Sequence, residues 1–254
     1  MKNKIILSIE NLSKKYQDVD SEILALDNIS MNLYEKEFIS IIGPSGCGKS
    51  TLLSILSLID KDYTGNVIYK NNLKVGYMLQ TDSLFPWKNV LDNCLIGLKI
   101  KKIDTEENIL YVKELLKKYG LEEFMYKYPN NLSGGMRQRV ALIRTLALKP
   151  DILLLDEPLS ALDSQSRLSI GKDIFNIIKN EKKTAIMVTH DLNEALNVSD
   201  RVILLSNRPA KIKNIYDIPF KDIEFSKRKL DKNYNILLDK IWRDLDVYNI
   251  SWKT

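Results

Sequence analysis

The sequence predicts an α/β fold on a largely parallel sheet, and two observations carry that expectation. Five short runs, residues 38–42, 75–79, 152–155, 185–188 and 202–205, are rich in aliphatic and β-branched side chains, as strands covered on both faces are. Between them lie segments of helical period, and strands alternating with helices mean parallel pairing. Residues 49–59 form the first such segment. In 109–119, Ile109, Val112, Leu116 and Tyr119 share a face, and in 136–148, Met136, Val140, Ile143 and Ala147 align. The middle third, 85–150, holds helices without a convincing strand and reads as an inserted helical lobe. Near the end, Leu230, Tyr234, Leu237, Ile241, Leu245 and Tyr248 recur at spacings of three and four. They predict an amphipathic helix; its apolar face packs on the body or, as the alternative, serves a partner or a membrane surface, and charges of mixed sign rather than uniformly basic ones favour packing.

With 254 residues, 44% apolar and 28% charged, and only 10 Gly and 7 Pro, the chain is long enough for a sizeable core and is not fibrous or low in complexity. No internal repeat and no Pro-, Gly- or Ser-rich linker divides it. Lys plus Arg number 38 against 33 Asp plus Glu, and a net charge of +5 is too mild to argue for nucleic acid. Two cysteines, Cys47 and Cys94, make no disulfide framework, and a single histidine excludes multi-histidine metal sites; a reducing compartment is expected. The first residues lack the apolar stretch of a secretion signal, and no run approaches the roughly 18 apolar residues of a spanning helix. Any service to a membrane is expected from outside the bilayer.

Chemistry enters after the run 38–42, where Gly43, Pro44, Ser45, Gly46, Cys47, Gly48, Lys49, Ser50 and Thr51 fit G-x-x-x-x-G-K-[ST] at every defined position. Glycines let successive N–H groups point inward at phosphate oxygens, and the following helix turns its positive end to the same anion. Lys49 reaches the β and γ phosphates and Ser50 offers a hydroxyl to Mg²⁺. Cys47 occupies a variable position of the pattern and reads as structural.

A second signal is the run 152–155 followed by Asp156, Glu157 and Pro158. Parallel sheets place ligands at strand carboxyl ends. Successive residues face opposite ways, so Asp156 can hold the Mg²⁺ shell while Glu157 takes a proton from an attacking water. Alone, such a pair could simply end a strand; behind a matching phosphate loop it reads as catalytic.

Further motifs then fall in order: Gln80 after the run 75–79, Leu132, Ser133, Gly134, Gly135 and Met136 opening a helix, Ser160, Ala161, Leu162 and Asp163, and His190 after 185–188, with Tyr16 ahead of the phosphate loop. Together these resemble the ATP-binding subunit of an ABC transporter, over residues 5 to about 218. The resemblance implies a P-loop NTPase (RecA-like) core from 5–84 and 151–225, an inserted all-helical subdomain from 85–150, a small antiparallel β edge, and a C-terminal helical tail from 226–254. It implies ATP as substrate with Mg²⁺, Gln80 as a γ-phosphate sensor and further Mg²⁺ contact, and His190 as a γ-phosphate contact orienting the water and Glu157. Tyr16 would stack on adenine. Ser133, Gly134 and Gly135, which could also be an ordinary helix cap, would bind the γ-phosphate of ATP held by a second copy of the chain, with Asp163 tying the two sites together.

The signature loop carries Met136 where the family usually has Gln, a variant that resembles importers for nitrate, sulfonate, taurine and related solutes. Leu84, Phe85, Pro86, Trp87, Val90 and Asn93 resemble the surface with which that subfamily meets its permease subunits. Ser199, Asp200, Arg201, Val202, Ser206, Arg208 and Pro209 resemble a second segment, although Asn207 and Ala210 depart from the commonest residues there. The expected partners are a second copy, transmembrane permeases at the cytoplasmic face and, indirectly, an extracytoplasmic solute-binding protein. A soluble ABC ATPase acting on ribosomes or DNA, an exporter ATPase, and a nucleotide-binding module without turnover are the alternatives. Glu157 argues against the last, because a binding-only site needs no base.

Overall fold

The computed structural model describes residues 4–17, 21–70, 72–160 and 162–245. The chain divides into two compact units, one formed by residues up to 72 together with those from 186 onward, the other by residues 73–185.

In the first unit, β1 (Ile5–Gln17) pairs antiparallel with β2 (Glu22–Tyr34) and with β4 (Thr64–Tyr69), giving the order β2-β1-β4. Bulges break the register of β1, and there Asn11 and Asn28 take positive φ. Between β2 and β4 come β3 (Phe38–Ile42), buried at every residue, and α1 (Lys49–Leu56).

The second unit contains two parallel strands, β5 (Val75–Met78) and β6 (Ile152–Asp156), with Tyr77 opposite Leu154. From residue 85 to 150 its described elements are all helical: α2 (Val90–Ile100), α3 (Glu106–Lys118), two short 3-10 turns, and α4 (Gly134–Leu146). Capping fixes where these helices start. The Asn89 side chain accepts from Asp92 N at the head of α2, and Thr105 accepts from Asn108 N at the head of α3. Glu106 and Glu107 then fill the first turn of α3, and Lys117 and Lys118 its last, each sign facing the opposite dipole end. After β6 comes α5 (Ser164–Asn180), and β7 (Thr184–Val188) crosses the boundary back to the first unit.

The first unit resumes with α6 (Leu192–Val198), β8 (Arg201–Leu205), parallel to β3, and β9 (Ile212–Asp217), antiparallel to β8. A 3-10 turn over 225–230 leads to α7 (Lys232–Asp244). The expected C-terminal helix therefore exists and packs on the body: Tyr234 and Ile241 are buried with Leu192, Leu196, Val202, Phe220 and Ile218, and Leu237, Leu238 and Leu245 lie against that cluster. Leu230 does not belong to the face. Asp231 caps α7, so Leu230 falls in the preceding turn and is 83% exposed. Tyr248 and the rest of the tail beyond residue 245 lie outside the described residues.

The α/β expectation holds, and the five apolar runs are β3, β5, β6, β7 and β8 to within a residue at most ends.

Candidate functional site

In the first unit, the site grows from the end of β3. Its apolar residues are buried, and the chain leaves the sheet at Gly43, where a Cβ would stand 3.1 Å from the Leu205 carbonyl of β8. A turn closed by Cys47 N donating to Pro44 O (3.3 Å) follows, and Gly48 opens α1 at φ 123°, a conformation closed to other residues without strain. The Lys49 ammonium is buried within this loop and donates to Gly43 O and Pro44 O, both at 2.8 Å. Ser45, Gly46 and Ser50 are exposed, while Cys47 is buried against Gly43 and burial pushes its thiol up, as suits an inert packing cysteine.

Tyr16 ends near this loop: its hydroxyl donates to Thr51 Oγ1 at 3.3 Å, its ring is 41% exposed, and Lys14 Nζ sits 4.8 Å from the ring centroid. Arg208, read in the sequence only as part of a resemblance, donates to Gly46 O at 3.0 and 3.3 Å and so braces the loop from the turn after β8. His190 is exposed at the end of β7. Its neighbours are fixed, Thr189 by a bond to Glu194 and Asp191 by capping α6.

In the second unit, β6 delivers the acidic pair. Asp156 is buried and accepts a hydrogen bond from the Tyr77 hydroxyl at 3.0 Å. Register explains the pairing: Tyr77 lies opposite Leu154, two residues before Asp156 and therefore on the same face. Burial and the adjacent carboxylate hold the Tyr77 phenol well above its usual range, so it stays a donor. Glu157 takes φ 42°, turning the chain out of the strand at once. Its Oε2 lies 3.4 Å from Gln80 Nε2, and Ser160 Oγ donates to its main-chain carbonyl at 3.0 Å. Gln80, Glu157 and Ser160 thus gather at the ends of β5 and β6.

The Ser133 hydroxyl accepts from Met136 N at 3.3 Å, a capping bond that opens α4. Gly134 and Gly135 face close neighbours: a Cβ on Gly135 would fall 2.2 Å from Ile170 Cδ1, and one on Gly134 2.9 Å from Leu162 Cδ2. Asp163 accepts from Ser166 N and caps α5; Ala161 beside it lies outside the described residues. From the first turn of α2, the buried Asn93 side chain reaches back to accept from Phe85 N (2.7 Å) and donate to Phe85 O, Lys88 O and Asn89 O at 2.9–3.1 Å. That single amide ties down the loop presenting Trp87, which is 70% exposed with its ring 5.3 Å from that of Phe85.

The residues fit a nucleotide with its cation. Positive φ at Gly46 and Gly48 curls the loop ahead of α1, and the amides of such a loop can turn to phosphate oxygens. Ser50 in the first unit and Asp156 in the second each carry oxygen of the hard kind that Mg²⁺ takes. Tyr77 and Arg208 are the two contributors that sequence reasoning missed. The register between β5 and β6 would have exposed Tyr77; for Arg208 only the RP dipeptide stood out, without a function.

Residues 26–160 match the profile of the ABC transporter family. An aliphatic sulfonates import ATP-binding protein of Bacillus thuringiensis is 35% identical over 246 residues, covering 94% of this chain and 96% of its own. A taurine import ATP-binding protein of Ruegeria pomeroyi is 38% identical, covering 85% and 84%. An ABC transporter ATP-binding protein of uncharacterised role from Bacillus subtilis is 42% identical, covering 94% and 95%. Among solved structures, the dimeric bacterial ABC transporter cassette MJ0796 superposes with a TM-score of 0.70 at 35% identity, covering 84% of this chain and 99% of that one; a post-hydrolysis form of it holds ADP and Pi.

Proposed function

The chain belongs to the ABC transporter family as an ATP-binding subunit with ATPase activity, and from that premise we propose that it energises an importer for a small solute of the sulfonate, taurine or nitrate class. The observation that carries this reading is that its likeness to sulfonate and taurine import subunits runs over most of each chain, beyond the ATP-binding motifs.

In this reading the amides of residues 43–51 hold the phosphates of ATP, Lys49 neutralises the β and γ oxygens, and Tyr16 stacks on adenine. Ser50 and Asp156, with Gln80, hold Mg²⁺, which supplies charge stabilisation at the transferred phosphate. Glu157 accepts the proton of the attacking water, His190 orients that water, and Gln80 senses the γ-phosphate. Ser133, Gly134 and Gly135 serve the γ-phosphate of ATP in a second copy, with Asp163 between the sites, so that two chains act as a head-to-tail dimer. Closure of that dimer passes through Phe85, Pro86 and Trp87 to transmembrane permeases at the cytoplasmic face, and an extracytoplasmic binding protein delivers the solute.

The test is to isolate the chain from its native membrane with its partners attached, identify them, and compare phosphate release by wild type and Glu157→Gln. Permease and binding-protein partners, with release lowered by about 10²- to 10⁴-fold and ATP still bound, are expected. Ribosomal or DNA partners would refute the transporter while leaving the ATPase.

A further inference from the structure

The C-terminal segment grips both ends of α6, the helix that directly follows His190. At seven residues, α6 is too short to hold its own place, so its position comes from what packs on it. At its C-terminus lies Arg228, 1% exposed, whose Nη1 donates to Asn197 O at 2.9 Å and to Ser199 O at 3.2 Å. These are carbonyls that a helix end leaves open, and a cation there also meets the negative end of the dipole. The same guanidinium donates through Nε to Ile223 O (3.2 Å) and through Nη2 to Lys221 O, so one planar group locks the tail to the helix end.

At the N-terminal end, the Tyr234 hydroxyl of α7 donates to Asn193 Oδ1 at 3.1 Å. Burial, aided by the charge of Asp191, pushes this phenol up to about 12, so it remains a donor throughout the working range. Asn193 in turn gives its main-chain N–H to Asp191 Oδ1 at 2.8 Å. Thr189 completes the linkage: its hydroxyl bonds Glu194 of α6 and accepts from Asp191 N at 3.1 Å, and its own N–H reaches Ile41 O of β3 at 3.2 Å. His190 stands between two residues whose positions are both set by α6.

We propose that residues 218–244 brace His190 through α6, with Arg228 and Tyr234 as positioning residues for ATP hydrolysis. The apolar packing of Phe220, Tyr234 and Ile241 holds the tail on; the polar bonds at the two helix ends set where the helix lies. This inference rests on the reading of His190 as a γ-phosphate contact, and the experiment separates the two.

In the full chain, Tyr234→Phe keeps the ring and removes the donor, and Arg228→Gln shortens the clamp. Each is made alone and together with His190→Ala, and ATP hydrolysis is followed as kcat and KM. Expected for Tyr234→Phe is a kcat about tenfold lower at unchanged KM, within the hundredfold that a 1 Å misplacement costs. In the His190→Ala background the same substitution adds nothing, because its route is already cut. Wild-type kcat in Tyr234→Phe, or an equal loss with and without His190, overturns the brace alone. Wild-type kcat in His190→Ala overturns the reading of His190 itself and the brace with it. Should Arg228→Gln not fold, Tyr234→Phe decides the question.

Discussion

Two loops rich in glycine open helices in this chain, 43–51 before α1 and 133–135 before α4, and they need glycine for different reasons. In the first, the backbone demands it: Gly46 and Gly48 take φ 70° and 123°. In the second, neither glycine has an unusual φ, and it is space that demands it, because Ile170 and Leu162 lie where the Cβ atoms would go. The first loop is therefore defined by its own chain conformation, the second by the neighbour packed on it. One kind of loop can be recognised from its spelling; the other can be understood only with its surroundings.

The widest separation of the two is expected from Gly48→Ala. Holding alanine at φ 123° costs about 1–3 kcal/mol, to be read in urea unfolding, since that φ belongs to the folded chain itself. Trimming the nearest side chain by Leu26→Ala should not restore that stability, since the strain lies in the backbone. Gly135→Ala should cost about 2 kcal/mol of stability in urea unfolding through overpacking, and Ile170→Ala should return most of it. Rescue in the first case, or its failure in the second, would break the contrast. Smaller still, Ser133→Ala removes the cap of α4 and should cost about 1 kcal/mol in the same unfolding curves. Smallest is Cys47→Ala, where the lost sulfur leaves a cost of about 1 kcal/mol or less and unchanged nucleotide affinity; a large loss of binding would mean that side chains as well as the backbone define the first loop.

The same division explains what the sequence disclosed. β3, β6 and β7 were legible because they are buried at every residue and β8 nearly so, all reading as unbroken apolar runs. β1 and β2 were not, despite their thirteen residues each. Bulges at Asn11 and Asn28 shift the inward positions of β1 from Ile9 to Leu12 and Lys14, and alternation is lost. Lys14 compounds this, a buried lysine paired with Asp60 at 3.0 Å, which a hydrophobicity pattern reads as outward. In the candidate site, the phosphate loop, acidic pair and Gln80 were visible as motifs. Tyr77 was not, because a tyrosine in a strand reads as packing until the register with β6 sets it beside Asp156. Arg208 reaches Gly46 from 162 residues away, a distance that spacing cannot bridge.

The Asn93 amide has a thermodynamic side as well. Its four bonds freeze residues 85–89 when the chain folds, so the conformational entropy of that loop is surrendered then and not on docking. Ordering a single flexible side chain on association costs about 0.5–1.5 kcal/mol, and a partner seating on Trp87 meets a loop whose backbone is already ordered. Any contact made there starts from a backbone that already holds one geometry, so its affinity is spent on the contact and little of it on ordering the loop.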